Sequence, residues 1–172
     1  MKSYKLLFAA LLVVALAALA VPSFAAGNAG ASAEADLLTA LAITKTSNLD
    51  FGAMIAGGSG TVIIAATSAG TRSGLHDSLV AQELGVSGKF QVSGTGTRTF
   101  AITLTQPEDG ILKTGDGEGA TKQIPVVLVR DAATGTLVAG EKEIYVGGTL
   151  TVATEDIAGE YTGSFNVAVA YN

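Results

Sequence analysis

The 172-residue chain has no cysteine, no tryptophan, one histidine and three prolines. Because no disulfide can form, the domain must owe its durability to a full core, to a partner or to assembly. The lone histidine leaves few groups for acid–base catalysis, and the missing tryptophan weakens the case for an aromatic sugar-binding platform. These absences favour a structural role over an enzymatic one.

The first 25 residues have the three parts of a secretory signal peptide. Lys2 and Lys5 form the basic start, Leu6–Val21 is an unbroken apolar stretch, and Ser23 and Ala25 occupy the positions that a signal peptidase reads. An uncleaved membrane anchor is the alternative, but the apolar stretch is short for a span and the cleavage site follows it directly. We expect cleavage after Ala25 and export through the periplasm to the cell surface.

Removal of the signal leaves one acidic domain. The whole chain carries 10 basic and 15 acidic side chains, and loss of the two signal lysines changes the net charge from −5 to about −7. Such a charge disfavours nucleic acid and anionic membrane surfaces as partners. No second apolar stretch is long enough to span a bilayer, so we expect no membrane span in the mature form. The expected organisation is a signal peptide over 1–25, an N-terminal extension over 26–37 and a β-sandwich domain over 38–172.

Short runs rich in threonine, valine and isoleucine follow one another from Leu38 onward, separated by glycine, serine and aspartate. Such runs are typical of β-strands. The predicted strands are Leu38–Lys45, Asn48–Gly52, Gly60–Ala65, Gly88–Gly94, Arg98–Thr105, Gln123–Arg130, Glu143–Val146, Gly148–Ala153 and Gly159–Tyr171. The pairs Gly57-Gly58 and Gly147-Gly148 are interpreted as turns or bulges. The chain is therefore predicted to be all-β, a two-sheet antiparallel sandwich.

The last strand is long and has two different faces. Every second residue from Gly159 onward belongs to one apolar row, and the intervening residues are polar or small. This alternation indicates a strand with one face in a core, and its length exceeds the five or six residues that are about typical of strands. The row contains Gly159, Tyr161, Gly163, Phe165, Val167, Val169 and Tyr171. Such a strand at the C-terminus indicates a segment with which something else must pair.

The other end of the domain offers a candidate for that pairing. Residues 26–39 are small, polar and weakly acidic, yet their odd positions form an alternating row that leads into the first strand. That row contains Ala29, Ala31, Ala33, Ala35 and Leu37. A frayed terminus is one interpretation. The other is a strand that finds its sheet only in another molecule.

Catalytic and ligand-binding groups are few. His76, Asp77 and Ser78 include the residue types of a hydrolase triad, but adjacent residues cannot form its hydrogen-bond relay. We expect no catalytic residues and no enzyme activity.

One acidic, glycine-rich loop is the best candidate for a metal site. Asp109, Asp116 and Glu118 could hold calcium through oxygen ligands, but their spacing matches no EF-hand loop. The aromatic side chains of the mature chain all fall in predicted strands, where burial in the core is their usual role. We expect no metal and no cofactor.

Two resemblances bear on function. Chaperone–usher pilins end in a strand with a penultimate tyrosine and a glycine fourteenth from the C-terminus, and Tyr171 and Gly159 stand at those positions. The segments Ile43–Gly57, Phe90–Leu104 and Val146–Val152, with the terminal GEYTGSFNVAVAYN, resemble a family of secreted bacterial domains of unknown function that is often regarded as fimbria-like. This second resemblance spans nearly the whole mature chain.

The resemblance to pilins implies a mechanism. Pilin domains are immunoglobulin-like sandwiches that lack their final strand, which leaves an apolar groove beside the C-terminal strand. A periplasmic chaperone lends a strand during export, and the N-terminal extension of the next subunit then replaces it. By this resemblance the donor is the row from Ala29 to Leu37. The acceptor groove is lined by Gly159, Tyr161, Phe165, Val167, Val169 and Tyr171.

The sequence therefore favours a structural subunit of an extracellular filament, assembled head to tail by strand donation. The expected partners are copies of the chain itself and, by the resemblance, a periplasmic chaperone and an outer-membrane usher. The alternative is a monomeric secreted or surface β-sandwich that binds carbohydrate or calcium. In that case Leu38–Lys45 is simply the first strand of a complete sandwich.

Overall fold

The computed structural model describes Gly27 and residues 29–73, 84–114 and 122–172. In these residues no helix is long and apolar enough to cross a membrane. The predicted signal peptide lies outside the described residues, as do the candidate catalytic residues 76–78 and the candidate calcium ligands at positions 116 and 118.

The chain divides into two units, one ending at Asp36 and the other running from Leu37 to Asn172. The described residues of the first unit are exposed and have no regular secondary structure.

The second unit is all-β, which confirms the predicted fold class. Its described residues contain no α-helix and a single 3₁₀ turn, Glu108–Gly110. The strands are β1 (Ala42–Ser47), β2 (Gly60–Ile64), β3 (Arg72–Ser73), β4 (Gly88–Ser93), β5 (Thr99–Thr105), β6 (Ile111–Thr114), β7 (Gln123–Arg130), β8 (Thr134–Thr136), β9 (Glu141–Val152), β10 (Tyr161–Thr162) and β11 (Asn166–Tyr171). They pair antiparallel in two sheets that share one core, and the fold is a β-sandwich.

β9 is the central strand of the larger sheet, whose order is β1-β4-β9-β7-β6-β10. Along one edge β9 pairs first with β4 and then with β2, and along the other edge it pairs with β7. β3 extends the sheet beyond β2. With 12 residues, β9 is long enough to hold two strands end to end.

Gly147 and Gly148 lie inside β9, which corrects the prediction of a turn or bulge there. A Cβ on Gly147 would overlap the backbone oxygen of Ile64, and one on Gly148 would lie 2.8 Å from a side-chain carbon of β7. Only glycine therefore lets β2 and β7 approach β9 so closely at this point. The predicted strands Glu143–Val146 and Gly148–Ala153 are one continuous strand.

The smaller sheet has the order β11-β5-β8. β5 is its middle strand, and its ladder with β11 runs from Asn166 opposite Thr105 to Tyr171 opposite Phe100. β8 pairs with the first residues of β5. β11 is therefore an edge strand.

Alternate side chains from both sheets fill the core. In β4 and in most of β7 every second residue is buried, as expected of strands that turn one face to a core. Phe165, just before β11, packs edge to face on Phe90 of β4 with ring centroids 6.1 Å apart. The largest fully buried side chains are Phe100, Ile64, Leu137, Ile144, Val62, Val92, Val126 and Val146.

The single long strand predicted over Gly159–Tyr171 is wrong, because the segment forms two strands in different sheets. β10 pairs with β6 in the larger sheet, and β11 pairs with β5 in the smaller one. The chain crosses between the sheets near Gly163, where a Cβ would lie 2.8 Å from Cδ2 of Leu112. Both halves turn their odd-numbered residues inward, so the alternation in the sequence continues through the crossing.

Smaller differences concern the beginning and the short elements. β1 begins at Ala42 rather than Leu38, and the predicted strand Asn48–Gly52 is an extended segment with one isolated bridge, between Asp50 and Val86. The strands β3, β6 and β8 were not predicted because two to four residues are too few to establish a period.

Candidate functional site

An apolar groove of about 720 Å³ opens between the two sheets, at the end of the domain where β11 begins. One wall is residues 48–56, which follow β1, and the other is residues 156–163 with Phe165. The floor consists of core side chains of the larger sheet, namely Leu112, Ile124, Leu128, Leu150 and Val152. The groove therefore leads from the surface directly to the core.

The wall that follows β1 is held in place at two points. Asp50 and Val86 exchange two backbone hydrogen bonds, of 2.9 and 2.8 Å. Nη1 of Arg72 donates a hydrogen bond to the carbonyl oxygen of Phe51 at 3.1 Å. Phe51 is buried in the core, whereas Ile55 further along is half exposed. This wall is therefore extended and anchored, although it is not part of a ladder.

β11 continues from the groove and leaves one edge without a partner strand among the described residues. Asn172 N donates a hydrogen bond to Thr99 O, its opposite residue in the β11–β5 pairing. Hydrogen-bonded and non-bonded pairs alternate along an antiparallel ladder, so the even-numbered residues of β11 bond to β5. The backbone N–H and C=O groups of Val167, Val169 and Tyr171 therefore point away from β5, outward from the open edge. Their side chains are half-buried against the core.

The hydroxyl group of Tyr171 closes the space between the sheets at the far end of β11. It accepts a hydrogen bond from Thr95 N at 2.7 Å and donates one to Thr39 O at 2.9 Å. Gly94 lies against this hydroxyl, because a Cβ at that position would overlap the tyrosine oxygen. The groove thus lies at the Phe165 end of β11, and the Tyr171 hydroxyl connects β11 to the segments around it at the other end.

The chain enters the domain at the closed end. The N–H of Thr39 donates to Oγ1 of Thr95 at 2.8 Å, and Leu37, two residues earlier, is 90 % exposed. The groove opens at the other end of β11, which is about 17 Å away at about 3.3 Å per residue. The entry point and the groove therefore lie at opposite ends of the domain.

The predicted acceptor residues fall into two groups. Gly159, Tyr161 and Phe165 line the groove. Val167, Val169 and Tyr171 lie further along the chain in β11, where they are half-buried against the core. Of the predicted donor residues, Leu37 is exposed at the start of the second unit. The others belong to the first unit, where they are exposed and in no strand: Ala29, Ala31, Ala33 and Ala35.

Sequence reasoning missed the second wall and the floor. The alternation of Leu49 and Phe51 is the one signal that residues 48–56 border the core. The floor comes from β6, β7 and β9. No local signal indicates which core residues a groove will reach, because that depends on which strand edges stay unpaired.

The rim of the groove is acidic. Among the described residues that line it none is basic, whereas Asp50, Asp156 and Glu160 carry carboxylates. Asp50 accepts a hydrogen bond from Gly52 N at 2.7 Å, and Asp156 accepts one from Ala153 N at 2.8 Å. The part of the chain that the structure describes contains no cluster of three or more acidic or histidine side chains that could hold a metal ion.

Tyr161 supplies an apolar wall rather than a reactive group. Burial raises the pKa of its hydroxyl, and the nearby Asp156 raises it further. The hydroxyl donates to the carbonyl oxygen of Ile157 at 2.9 Å. The phenol is therefore neutral at physiological pH, and the groove suits an apolar or extended-chain occupant.

The model for a domain of unknown function, DUF4402, matches residues 41–171. The chain belongs to the DUF4402 family. The groove and the open edge of β11 lie within the matched part of this DUF4402 domain, and residues 29–37 precede it. No curated protein matches the chain.

Proposed function

We propose that this DUF4402 chain is a structural subunit of an extracellular filament, in which each subunit donates its N-terminal extension to the groove of the next. The observation that carries the proposal is the open edge of β11 beside an apolar groove. An unpaired edge strand that borders the core is a site for strand addition. A strand there would satisfy unpaired backbone groups and cover apolar surface in one step.

Side-chain size favours a donor that runs antiparallel to β11. The groove lies beside Gly163, before β11 begins, whereas the extension has alanines first and Leu37 last. An antiparallel strand with Leu37 opposite Gly163 brings its largest side chain to the groove. Its four alanines then lie opposite Phe165, Val167, Val169 and Tyr171. Small side chains would face large ones throughout, which fills space without overlap.

The two ends of the domain would give the filament a direction. Donation from the entry point of one copy to the groove of the next is a head-to-tail contact that does not close on itself. On this register Leu37 of the donating subunit lies in the groove of the next subunit. Thr39 of the donating subunit is bonded to Tyr171 of its own domain, so only Leu38 spans the gap between the two domains. Neighbouring domains would therefore sit close together.

Strand donation also accounts for durability without cysteine. An inserted strand must lose its whole ladder and its groove contacts before it can leave, so dissociation is slow. Before assembly the same edge needs a temporary cover. By the pilin resemblance that cover is a periplasmic chaperone, with an outer-membrane usher for export to the cell surface.

The direct test compares the mature protein with a version that lacks residues 26–37, by size-exclusion chromatography and negative-stain electron microscopy. The expected result is polymers from the first and a folded monomer from the second. If both proteins are stable monomers, the proposal is wrong.

A matched pair of point variants tests the alternate-row model of the donor. Ala33→Asp places a carboxylate on the face that enters the groove, and Ser32→Asp places the same group on the opposite face, one residue away. We expect Ala33→Asp to prevent polymer formation, because it would bury an unpaired charge, and Ser32→Asp to allow it. Equal polymerisation of the two variants contradicts the model.

A second candidate function rests on the size of the groove, since small-molecule sites have volumes of about 300–1,000 Å³. It is a monomeric surface module that binds carbohydrate or calcium. Isothermal titration calorimetry of the mature protein with calcium and with a glycan panel tests it, with Tyr161→Ala as the groove variant. A binding signal that Tyr161→Ala removes supports this function, and the absence of any signal eliminates it.

A further inference from the structure

The outer face of the larger sheet has an uncharged area three strands wide. Val127 of β7 lies opposite Thr149 of β9, and Thr149 in turn lies opposite Ile63 of β2. One step along β9, Thr151 lies opposite Thr61. The uncharged face consists of Thr61, Ile63, Val127, Val129, Thr149 and Thr151.

The apolar side chains of the uncharged face are well exposed. Val127 is 62 % exposed, Val129 49 % and Ile63 39 %, although the residues between them on the same strands are buried. Charged groups border the face instead of entering it. The Glu143–Lys89 ion pair lies beyond one end, and strand alternation places Lys113 of β6 at the other.

We propose that the uncharged face binds the same face of a second copy, so that filaments associate side by side. Without the signal peptide each chain has a net charge of about −7, and contact through a face without charges keeps like charges apart. Valine, isoleucine and threonine on pleated strands form a flat surface that can stack on another sheet. A contact between identical faces is isologous, so every favourable pair occurs twice.

The size of the uncharged face explains why it would act only in a polymer. Three strands about 4.8 Å apart and about five residues long cover roughly 200–250 Å² per copy. A stable pair of proteins buries about 800 Å² per partner. Two single domains would therefore associate weakly, whereas contacts repeated along two filaments add together. The bundling step rests on the proposed filament, but the face itself does not.

The test introduces one lysine on either sheet. Val127→Lys lies at the centre of the uncharged face, and Thr103→Lys is the matched control on an exposed position of β5 in the smaller sheet. Both variants change the net charge of the chain without its signal peptide from about −7 to about −6, so general repulsion between copies falls in both. We expect wild-type and Thr103→Lys filaments to form bundles that sediment at low speed, and Val127→Lys filaments to stay single in electron micrographs.

Bundles of Val127→Lys that match those of the control would overturn the proposal, as would single wild-type filaments under the same conditions. If no filament forms, the proposed function fails. Self-association of the monomer through the uncharged face is then measured by sedimentation velocity at about millimolar concentration. Val127→Lys must then weaken self-association by about tenfold or more relative to Thr103→Lys, because a buried lysine without a partner is costly. Equal association, or none in the wild type, overturns the proposal. Circular dichroism of both variants verifies that they fold.

Discussion

At the scale of single residues, the hydroxyl of Tyr171 connects three separate parts of the chain. It joins β11 to the turn after β4 through Thr95 and to the segment before β1 through Thr39. Gly94 is required beside it, since any side chain there would occupy the position of the hydroxyl. One oxygen atom thus holds the C-terminal end of β11 against both segments.

Tyr171→Phe is expected to destabilise the domain by about 1–2 kcal/mol, because two hydrogen bonds are lost and the Thr95 N–H loses its acceptor. Urea denaturation measures the change. Tyr145→Phe is the matched control, as its hydroxyl makes a single hydrogen bond, to the partly exposed Glu143, and its loss leaves no backbone N–H without an acceptor and should cost less. If the two variants have equal stability, the Tyr171 hydroxyl does not link the sheets.

A second prediction concerns pH and the ion pair on the outer surface of β9. Glu143 accepts hydrogen bonds from Lys89 Nζ and from the Tyr145 hydroxyl, each at 2.6 Å. The bond to Lys89, followed by that to Tyr145, lowers the pKa of Glu143 in the folded state. The stability that this provides is therefore complete above the ordinary glutamate pKa of about 4.3, and is lost as the pH falls through the lower folded value.

The urea midpoint of the wild type should fall as the pH drops from 6 to 2. In Glu143→Gln that fall should be smaller below about pH 4.3, because the variant has no carboxylate at this position to protonate. Glu141→Gln, two residues earlier on the same strand, serves as the control for loss of one carboxylate. If the urea midpoint of Glu143→Gln falls with pH as much as that of the wild type, the ion pair contributes nothing to stability.

At the scale of elements, β7 pairs with β6 over only part of its length, and a side chain bonds to its backbone beyond that point. The ladder between β6 and β7 reaches only Pro125, and the amide of Gln106, which follows β5, bonds to Leu128 in place of a strand. Its Nε2 donates to Leu128 O at 2.8 Å, and its Oε1 accepts from Leu128 N at 2.7 Å. This side chain therefore connects the smaller sheet to the larger one beside the floor of the groove.

Gln106→Leu should lower the free energy of unfolding by about 1–3 kcal/mol, because both backbone groups of Leu128 lose their partner. Thermal and urea denaturation provide the measurement, with Gln123→Leu at an exposed position of β7 as the control. Hydrogen exchange gives a second readout, since the Leu128 amide should lose protection more than its neighbours do. Unchanged exchange at Leu128 would contradict this role for Gln106.

At the scale of the whole molecule, the sandwich is unequal: the smaller sheet has three strands and ends at the open edge of β11, beside the groove. A strand that binds there stabilises the folded state by mass action, by about 2.7 kcal/mol at a hundred times its Kd. A peptide of residues 29–38 added to the protein that lacks residues 26–37 should therefore raise Tm by about 5–10 °C. The same peptide with Ala33→Asp is the control. No rise in Tm at saturating peptide would exclude this segment as the donor.

Much of this architecture could be predicted locally. Alternation along β4, β5 and β7 identified the strands and their buried faces, because one side chain in two must avoid water in a half-buried strand. The half-buried odd-numbered positions from Tyr161 to Tyr171 follow from the same rule, apart from Gly163. The rule cannot detect a change of partner, so the crossing at Gly163 and the continuity of β9 through Gly147 were predicted wrongly.

The sequence by itself determined the fold class and the face of each long strand, since both depend on the local period of apolar side chains. Only the tertiary structure decided that β10 and β11 join different sheets, that residues 48–56 form a groove wall, and that the edge of β11 stays open. Those features depend on which strands meet across the fold. Pairing is a property of distant segments, and no local pattern records which edge is left without a neighbour.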